Sequence, residues 1–442
     1  MFTKKLVIAS CVLLLYACTH NESSLPDPPF YMPAEWEAQE AVWLGWESDS
    51  AYRFYPAVAE MIKSMQPHVT VKIAFHSDSL RQAATATLMH LGVDTAGIRM
   101  YTMPGERYWI RDHGAAFLIN DRGDLGVADF GWDGYGYPAF LGLKYDGNAD
   151  SVQAALHRSS ARMRLTGNVD SLMAVAEQAT ILKTHVVHEG GAIEVNGKGT
   201  LILCEATVFQ RNPGLSREEV ESEFKRVLGV SHIIWMKQGL ADDPHYFWRR
   251  IAGDYVGGGT GGHTDEFVRF TNPNTIMLAW VDEDEKDLNP LSRMNYDRMN
   301  ENYQILKNAS DQDGNPFTII KVPLPDLITE TIVARKQLDE DAFSLDLSPD
   351  QFLPSEAPQV GDTLLRVPAA SYMNYLVTNG LVLLPTYTAM GSSPEKEERV
   401  RAIFEQQFPG REIVFIDVLM QNWDGGGIHC STQQQPKRRT KQ

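Results

Sequence analysis

The sequence contains little cysteine and lacks the common zinc motifs. Only four of its 442 residues are cysteine, and two of these, Cys11 and Cys18, fall in an apolar N-terminal segment. The other two, Cys204 and Cys430, could form one disulfide by counting alone, so a disulfide-rich scaffold is excluded. There is no Cys-x-x-Cys pair and no His-Glu-x-x-His motif, so neither type of zinc site is indicated.

Basic residues are also scarce. The chain has 40 lysines and arginines against 57 aspartates and glutamates, which gives a formal net charge of −17 at pH 7. An acidic surface repels the phosphate backbone of nucleic acids and anionic lipids, so neither is an expected partner. The same charge mildly attracts cationic ligands.

Long hydrophobic runs are absent except near the start. Residues 6–17 are apolar, follow Lys4 and Lys5, and end directly before Cys18. The run is too short to span a bilayer and is similar to a bacterial lipoprotein signal. We therefore expect residues 1–17 to be a signal peptide and Cys18 to be lipidated; the alternative is a plain secretory signal cut nearby. The expected location is the bacterial cell envelope, at its periplasmic or outer-membrane face, with a lipid anchor as the sole membrane contact.

The rest of the chain is predicted to form one mixed α/β domain. Residues 18–33 are rich in serine and proline, which predicts a flexible tether. Residues 34–435 alternate helical and extended patterns without a boundary linker, and residues 436–442 form a basic tail. Two stretches inside the domain, 242–261 and 282–310, are expected to be inserted loops.

Two helix starts have clear signals. Ser216 and Glu219 have the spacing of a capping box, in which each side chain bonds to the backbone amide of the other residue. Ser393 and Pro394 fit the N-cap and the first position of a second helix.

Cys430 stands in the strongest candidate motif for catalysis. It follows the glycines at 425–427 closely and precedes the polar residues 431–434. Glycine allows unusual backbone dihedrals and close approach to a ligand, so the thiol is displayed for attack. The alternative is an ordinary buried cysteine, but the polar neighbours disfavour it. We predict a free, nucleophilic Cys430.

A second motif pairs His263 with Asp265. Residues 268–270 predict a strand, and positions two apart in a strand share a face. An imidazole beside a carboxylate can handle protons; the alternative is a solvated surface pair. The glycine-rich run at 257–262 lacks the Gly-Lys-Ser/Thr ending of a phosphate loop.

Two further carboxylates precede predicted strands. Asp112 stands before the apolar stretch 115–119, and Glu189 stands before two glycines and a strand. A metal site that joins His185, His188 and Glu189 to the His263 motif is an alternative, although the spacing matches no metalloprotease motif.

Seven blocks, taken in order, resemble the agmatine deiminase and bacterial peptidylarginine deiminase family of guanidino-group hydrolases. The blocks are Met32–Glu37, Trp109–Gly114, Glu189–Gly191, Arg211–Pro213, Gly262–Phe270, Ser371–Asn379 and Gly425–Gln435. Together they cover nearly the whole chain after the tether. The sequence departs from the family pattern at Gln210 and Glu266 and in the length of the 242–261 stretch, which leaves the substrate class open.

The resemblance implies a fold and a site. The fold is the five-bladed α/β propeller called the pentein fold, with the site on its central axis. No metal and no organic cofactor are implied. The implied roles are nucleophile for Cys430, general acid and base for His263, guanidinium-binding carboxylates for Asp112 and Asp265, a further acidic site residue for Glu189, and substrate or thiol contacts for Trp109, Asn374 and Gly427.

The resemblance also implies a reaction with a cationic guanidino substrate. Agmatine would become N-carbamoylputrescine and ammonia through a covalent thiouronium on Cys430. The alternatives are deimination of peptide or protein arginine to citrulline, deimination of free arginine, and amidino transfer to an amine. Arg249 or Arg250 could bind the carboxylate of a C-terminal arginine. The alternative to an enzyme is a binding protein: a surface lipoprotein that binds guanidinium without catalysis. The sequence does not indicate an oligomeric state.

Overall fold

The computed structural model describes most of the chain. The described residues are 29–46, 53–245, 248–336 and 347–438. The predicted signal peptide of residues 1–17, the lipidation site Cys18 and the first part of the tether lie outside the described residues. Among the helices that the structure describes, none is both long enough and apolar enough to cross a bilayer.

The described residues form twenty strands and eleven α-helices. The strands are β1 Gln39–Trp46, β2 Thr70–Phe75, β3 Arg99–Thr102, β4 Ala116–Ile119, β5 Leu125–Gly131, β6 Thr180–Val187, β7 Glu194–Val195, β8 Thr200–Cys204, β9 His232–Met236, β10 Arg249–Ala252, β11 Tyr255–Gly257, β12 Val268–Asn272, β13 Thr275–Trp280, β14 Thr318–Pro323, β15 Glu330–Val333, β16 Thr363–Arg366, β17 Leu376–Thr378, β18 Leu381–Pro385, β19 Glu412–Ile416 and β20 Thr432–Pro436. The helices are α1 Tyr55–Met65, α2 Asp78–His90, α3 Ile110–His113, α4 Tyr137–Lys144, α5 Ala149–Thr166, α6 Val169–Ala176, α7 Glu205–Arg211, α8 Arg217–Leu228, α9 Pro290–Asn308, α10 Pro394–Gln407 and α11 Leu419–Asn422.

Within the described chain, five sheets repeat one arrangement. In each, the first strand is antiparallel to the second, one or more helices follow, and the third strand is parallel to the second. A parallel neighbour requires a crossover connection, which the helices supply. The repeated sheets are β4-β5-β6, β7-β8-β9, β12-β13-β14, β17-β18-β19 and β20-β1-β2, the last of which also carries β3.

The two ends of the domain meet in one of these sheets. The last strand, β20, pairs with the first, β1, so that Gln434 lies opposite Val42 and Thr432 lies opposite Leu44. Cys430 stands two residues before β20. Closure of the chain ends therefore fixes the position of the cysteine turn.

The helices pack their apolar stripes against these sheets. In α1, Val58, Met61, Ile62 and Met65 recur at helical spacing and are buried in a cluster that includes Ile73 of β2. The capping box at the start of α8 and the Ser393 cap of α10 are both present. These two helix predictions are confirmed.

The prediction of an inserted loop at 282–310 was wrong. Residues 290–308 form the long helix α9, which begins at an Asn289 cap and buries Leu291, Met299 and Leu306. The acidic residues before and on the helix hid this sparse apolar stripe, because the buried face also carries two asparagines. Helix α9 is the crossover of one repeated sheet.

The 242–261 stretch is a true addition to the repeated pattern, but it is not only a loop. It contains the hairpin β10-β11, which continues into a sixth sheet of order β10-β11-β16-β15. The sheet lies outside the five repeats and leads the chain into His263.

The domain begins and ends slightly beyond the predicted boundaries. Phe30 packs against a core cluster, and the amide of Met32 donates to the carbonyl of Leu228, so the end of the 18–33 segment belongs to the fold. At the other end, Pro436 is the last residue of β20, and the amide of Lys437 donates to the carbonyl of Ala38.

Candidate active site

The predicted site residues converge because each lies just before the first strand of a repeated sheet. Helix α3 precedes β4, and two 3-10 turns, Gly190–Ala192 and Thr264–Glu266, precede β7 and β12. Contacts join α3 to the first turn, the two turns to each other, and α3 to β20. Asn374 and Cys430 stand in the same way before β17 and β20. The residues on these five connections are Asp112, Glu189, Asp265, Asn374 and Cys430.

Gly191 marks the point where three charged groups meet. A Cβ atom at this position would lie 2.7 Å from Asp112 Oδ1 and His263 Nδ1 and 3.0 Å from Asp265 Oδ2. Only a residue without a side chain allows the backbone to come so near. The amide of Gly191 also donates to Asp112 Oδ1 at 3.1 Å. The three groups therefore meet around the backbone of Gly191.

His263 lies between two carboxylates. Its Nδ1 is 3.6 Å from Asp112 Oδ1, and its Nε2 is 3.4 Å from Glu189 Oε2. The side chain is fully buried. Burial works to lower the pKa of His263, but Asp112 and Glu189 outweigh it and raise the pKa to about 9. The imidazole is therefore cationic at neutral pH.

Asp112 already has a partner on each oxygen. Oδ1 accepts from the Gly191 amide, and Oδ2 accepts from the hydroxyl of Tyr135 at 2.8 Å. Burial raises the pKa of Asp112 to about 6, although the nearby His263 acts in the opposite direction. Tyr135 was not among the predicted site residues. It lies in the β5–α4 connection, 23 positions from Asp112, and no sequence motif joins the two residues.

Glu189 is held by an arginine that the motif analysis did not assign to the site. Arg211 Nε donates to Glu189 Oε1 at 2.8 Å, and its Nη2 donates to the carbonyl of Thr260 at 2.6 Å. Burial works to raise the pKa of Glu189, but Arg211 and His263 hold it well below its usual range. Glu189 Oε2 is buried and makes no hydrogen bond within the described structure.

Cys430 is a free thiol and is only 2% exposed. Asn374 Nδ2 donates to its Sγ at 3.0 Å, and Sγ lies 3.4 Å from Asp265 Oδ2 and 3.8 Å from Glu266 Oε1. Burial, followed by the charges of Asp265 and Glu266, raises the pKa of Cys430 well above its usual range. This environment favours the protonated thiol.

The sequence predicted that Asp265 lies on a strand, and the structure does not show this. Thr264–Glu266 is a 3-10 turn, and the strand begins only at Val268. The turn nevertheless brings the side chains of His263 and Asp265 together beside the backbone of Gly191. Asp265 Oδ2 is 2.8 Å from Nδ1 of His429. Burial works to raise the pKa of Asp265, but His429 holds it below its usual range.

Behind Asp265 lies a buried network that the sequence did not predict. Its central residue, Glu35, lies 2.9 Å from Nε2 of His429 and accepts from Arg111 Nη1 at 3.0 Å. Arg269 also donates to Glu35, and its Nε donates to Glu194 at 2.9 Å. Burial works to raise the pKa of Glu35, but the neighbouring cations lower it well below its usual range.

The remaining predicted residues surround the thiol. Asn374 Nδ2 also donates to Glu266 Oε1 at 2.7 Å, while its Oδ1 accepts from the amide of His429 at 2.8 Å. The carbonyl of Gly427 accepts from the Ser431 hydroxyl at 3.0 Å. The Trp109 ring lies against the cysteine turn, because a Cβ at Gly426 would be 2.7 Å from the ring and 3.0 Å from Cys430 Cβ.

The metal alternative is not supported for its proposed members. The ring of His185 is exposed and lies 3.7 Å from Glu223, and His188 Nε2 lies 3.3 Å from the Ala192 carbonyl. Within the part of the chain that the structure describes, one group has ligand atoms close enough for a metal ion. It consists of Asp265, Glu266 and Cys430, which are the thiol and the two carboxylates beside it.

A family model covers this site and nearly all of the fold. The model of the Porphyromonas-type peptidyl-arginine deiminases matches residues 31–436. The chain belongs to this family. As a member of it, the protein is a hydrolase that acts on a guanidino C–N bond.

Relatives in this deiminase family are similar over their whole length. The agmatine deiminase of Pseudomonas fluorescens Pf-5 is 30% identical over 419 residues, which are 92% of this chain and 95% of that protein. The agmatine deiminase of Pseudomonas aeruginosa LESB58 is 28% identical over 95% of this chain and 99% of that protein.

Solved structures share the fold. The agmatine deiminase of Enterococcus faecalis superposes with a TM-score of 0.68 at 24% identity, covering 93% of this chain and 96% of that one. A C. jejuni agmatine deiminase with substrate bound superposes with a TM-score of 0.64 at 18% identity, covering 92% and 96%. The fold of this chain is therefore that of the agmatine deiminases, a single mixed α/β domain.

Proposed function

We propose that the protein hydrolyses agmatine to N-carbamoylputrescine and ammonia, with Cys430 as the nucleophile. One observation carries the proposal: a buried free thiol lies 3.4 Å from Asp265 Oδ2, and Asp265 meets Asp112 and a cationic His263 around the backbone of Gly191. The similarity to agmatine deiminases over nearly the whole chain supports the choice of substrate.

The carboxylates suit a guanidinium group. This planar cation carries five N–H donors and stays charged, so it pairs well with several carboxylates in fixed positions. Asp265 Oδ1 is buried and makes no hydrogen bond within the described structure, and Glu189 Oε2 is buried and paired with His263 Nε2 at 3.4 Å. Buried carboxylate oxygens without donors are costly. A bound guanidinium would satisfy these oxygens and offset the negative charge.

The same cation would activate the thiol. The pKa of Cys430 is raised by burial and by Asp265 and Glu266, and a positive charge beside Sγ acts in the opposite direction. Asn374 would stabilise the thiolate through its hydrogen bond to Sγ. The thiol would therefore lose its proton to water as the guanidinium binds, and the thiolate would take a proton back when the product leaves.

The reaction then takes two steps. The thiolate attacks the guanidinium carbon, and His263 gives its proton to the departing amino group, so that ammonia leaves and a thiouronium on Cys430 remains. Neutral His263 next takes a proton from water, whose oxygen attacks the same carbon. Collapse of this adduct breaks the C–S bond, releases the ureido product and restores the thiolate; the remaining hydroxyl proton ends on ammonia as ammonium.

The geometry favours a small substrate over arginine within a protein. Cys430, His263 and Asp112 are all at most 5% exposed, so the site is enclosed rather than open to a bulky chain. The two arginines considered for a substrate carboxylate are engaged elsewhere: Arg249 pairs with Glu356, and Arg250 lies 3.4 Å from Asp254.

The five repeated sheets support a five-bladed propeller. Each would be one blade, and the connections before their first strands would line the central axis, which is where the site residues lie. The sixth sheet would stand beside this ring as an addition.

Ammonia release tests the proposed function. We expect purified protein to release ammonia from agmatine faster than from free arginine or from a peptide with an internal arginine, with the ureido product confirmed by mass spectrometry. Equal turnover of the internal arginine would move the protein to the peptidylarginine branch. Transfer of the amidino group to added glycine, without ammonia, would make it an amidinotransferase. No reaction with any of these would refute deimination.

Tyr135→Phe tests how substrate reaches Asp112. The Tyr135 hydroxyl takes up one acceptor position on Asp112 Oδ2, so it would compete there with guanidinium. Since one hydrogen bond contributes about 0.5–1.5 kcal/mol, we expect the KM for agmatine at pH 8 to fall about 2–10-fold at unchanged kcat. The acidic limb of kcat/KM should move to higher pH, because the hydroxyl helps to keep the pKa of Asp112 down.

The control for this variant is Tyr137→Phe. Tyr137 lies two residues after Tyr135, and its ring stacks on Phe140. This control should leave both constants unchanged. If Tyr135→Phe instead raises KM and lowers kcat, the hydroxyl assists the substrate rather than competing with it.

A further inference from the structure

A buried aspartate holds the backbone that carries His263. Asp243 is 3% exposed and lies in the 242–261 stretch. Its Oδ2 accepts from the amides of Gly262 at 2.8 Å and His263 at 3.2 Å, and its Oδ1 accepts from the Thr260 amide at 2.5 Å and the Thr260 hydroxyl at 3.0 Å. A single carboxylate thus bonds the backbone up to and including the histidine.

This segment has no strand pairing of its own to fix it. Gly261 and Gly262 have φ values of +91° and +107°, a conformation that interrupts regular structure. Their carbonyls accept from the hydroxyl of Thr207, each at 3.0 Å, on the other side of the segment. Side chains therefore replace the hydrogen-bond partners that a sheet would otherwise provide.

We propose that Asp243 is a positioning residue for deimination, which keeps the imidazole of His263 between Asp112 and Glu189 by fixing the backbone of residues 260–263. The proposal rests on the proposed function of His263. Asp243 acts through the backbone, since its contacts are with amides and the Thr260 hydroxyl and none that we observe is with the ring.

The position of the imidazole matters because both of its nitrogens face carboxylates at 3.4–3.6 Å. The charge of the ring depends on these two distances. A displacement of about 1 Å in a catalytic group can lower the rate by about 10²-fold. Loss of the Asp243 contacts would allow a displacement of this kind, because Gly261 and Gly262 offer little resistance to movement.

Asp243→Asn tests the proposal, with Asp242→Asn as the matched control. Both carboxylate oxygens of Asp243 accept from backbone amides. In either orientation, the side chain of an asparagine would direct its NH₂ group towards some of these amides. Two donors cannot form a hydrogen bond, so the segment must move. Asp242 carries the same charge next to it, but its Oδ1 accepts from Asn295 Nδ2 at 3.0 Å. We expect Asp243→Asn to lower kcat for agmatine 10- to 100-fold with a smaller change in KM, and to move the alkaline limb of the pH profile to lower pH. Asp242→Asn should keep both.

A purely structural role would give a different result. If Asp243→Asn lowers the melting temperature but keeps the kcat and the pH profile of the folded enzyme, the proposal is wrong. If the variant does not fold, Thr207→Val decides, because it removes the milder contacts on the same segment. We then expect a several-fold loss of kcat with the same alkaline shift, and an unchanged profile would overturn the proposal. Wild-type protein without deiminase activity would instead refute the proposed function.

Discussion

Cys430→Ser is expected to abolish ammonia release from agmatine while the protein still binds agmatine. Removal of a catalytic nucleophile can lower kcat by as much as about 10⁶-fold, and a serine hydroxyl cannot be brought to its anion by a neighbouring cation as a thiol can. The carboxylates that would bind the guanidinium are untouched by this change. Single-turnover kinetics and titration calorimetry measure the two properties separately.

Cys204→Ser is the matched control. Cys204 is the other free cysteine of the described chain, and it is also fully buried. Its Sγ lies 3.7 Å from the carbonyl of Lys237 and beside the backbone of Gly262, and within the described structure it makes no hydrogen bond to Asp265 or Glu266, the carboxylates beside Cys430. We expect this variant to lose some stability and to keep kcat within about threefold, since moderate destabilisation leaves most molecules folded. Unchanged turnover in Cys430→Ser would place the nucleophile elsewhere. Tight agmatine binding by wild-type protein that never turns over would favour the guanidinium-binding hypothesis.

Several candidate site residues could be picked out from the sequence because they have a local signal. Cys430 follows a run of glycines, and Glu189 and Asp112 stand a few residues before strands. These positions share one cause: all lie on connections that enter the first strand of a repeated sheet, where glycine and polar residues interrupt apolar runs. The ordered set of blocks added the roles, which spacing alone does not give.

The residues that support the site could not be predicted in this way. Glu35 and His429 are 394 positions apart, and they meet because β20 pairs with β1. Local patterns carry no information on such a pairing. The blocks that resemble the family include Glu35 and Arg211, but they do not indicate which residues these two side chains contact. The contact of Tyr135 with Asp112 depends likewise on tertiary folding.

Composition is a poor guide to structure where a helix buries few apolar residues. The acidic stretch before α9 looked like a solvated loop, yet a few apolar residues at helical spacing suffice to bury one face of a helix. The 242–261 stretch was correctly identified as an addition, but the role of its buried Asp243 depends on hydrogen bonds to a backbone that folds back on it.

His263→Asn is expected to lower kcat for agmatine by about 10²–10⁴-fold, the range typical of a lost general acid and base. The reason is that His263 would act twice, first to protonate the departing amino group and then to activate water. Asparagine keeps a polar group in the space but cannot transfer protons. Burst kinetics with the product followed by mass spectrometry will show which of the two steps becomes slow.

The pH profile gives a sharper test of the same residue. In wild-type enzyme, kcat/KM should fall below about pH 6 as Asp112 takes up a proton, and above about pH 9 as His263 loses its own. The His263→Asn variant should lose the alkaline limb, which belongs to the imidazole, and its acidic limb should move to higher pH, because the cationic ring helps to keep the pKa of Asp112 down. The control His68→Asn, which removes a histidine paired with Glu412 near the surface, should retain both limbs. An alkaline limb that persists in His263→Asn would assign it to another group and remove the proton-transfer role from His263.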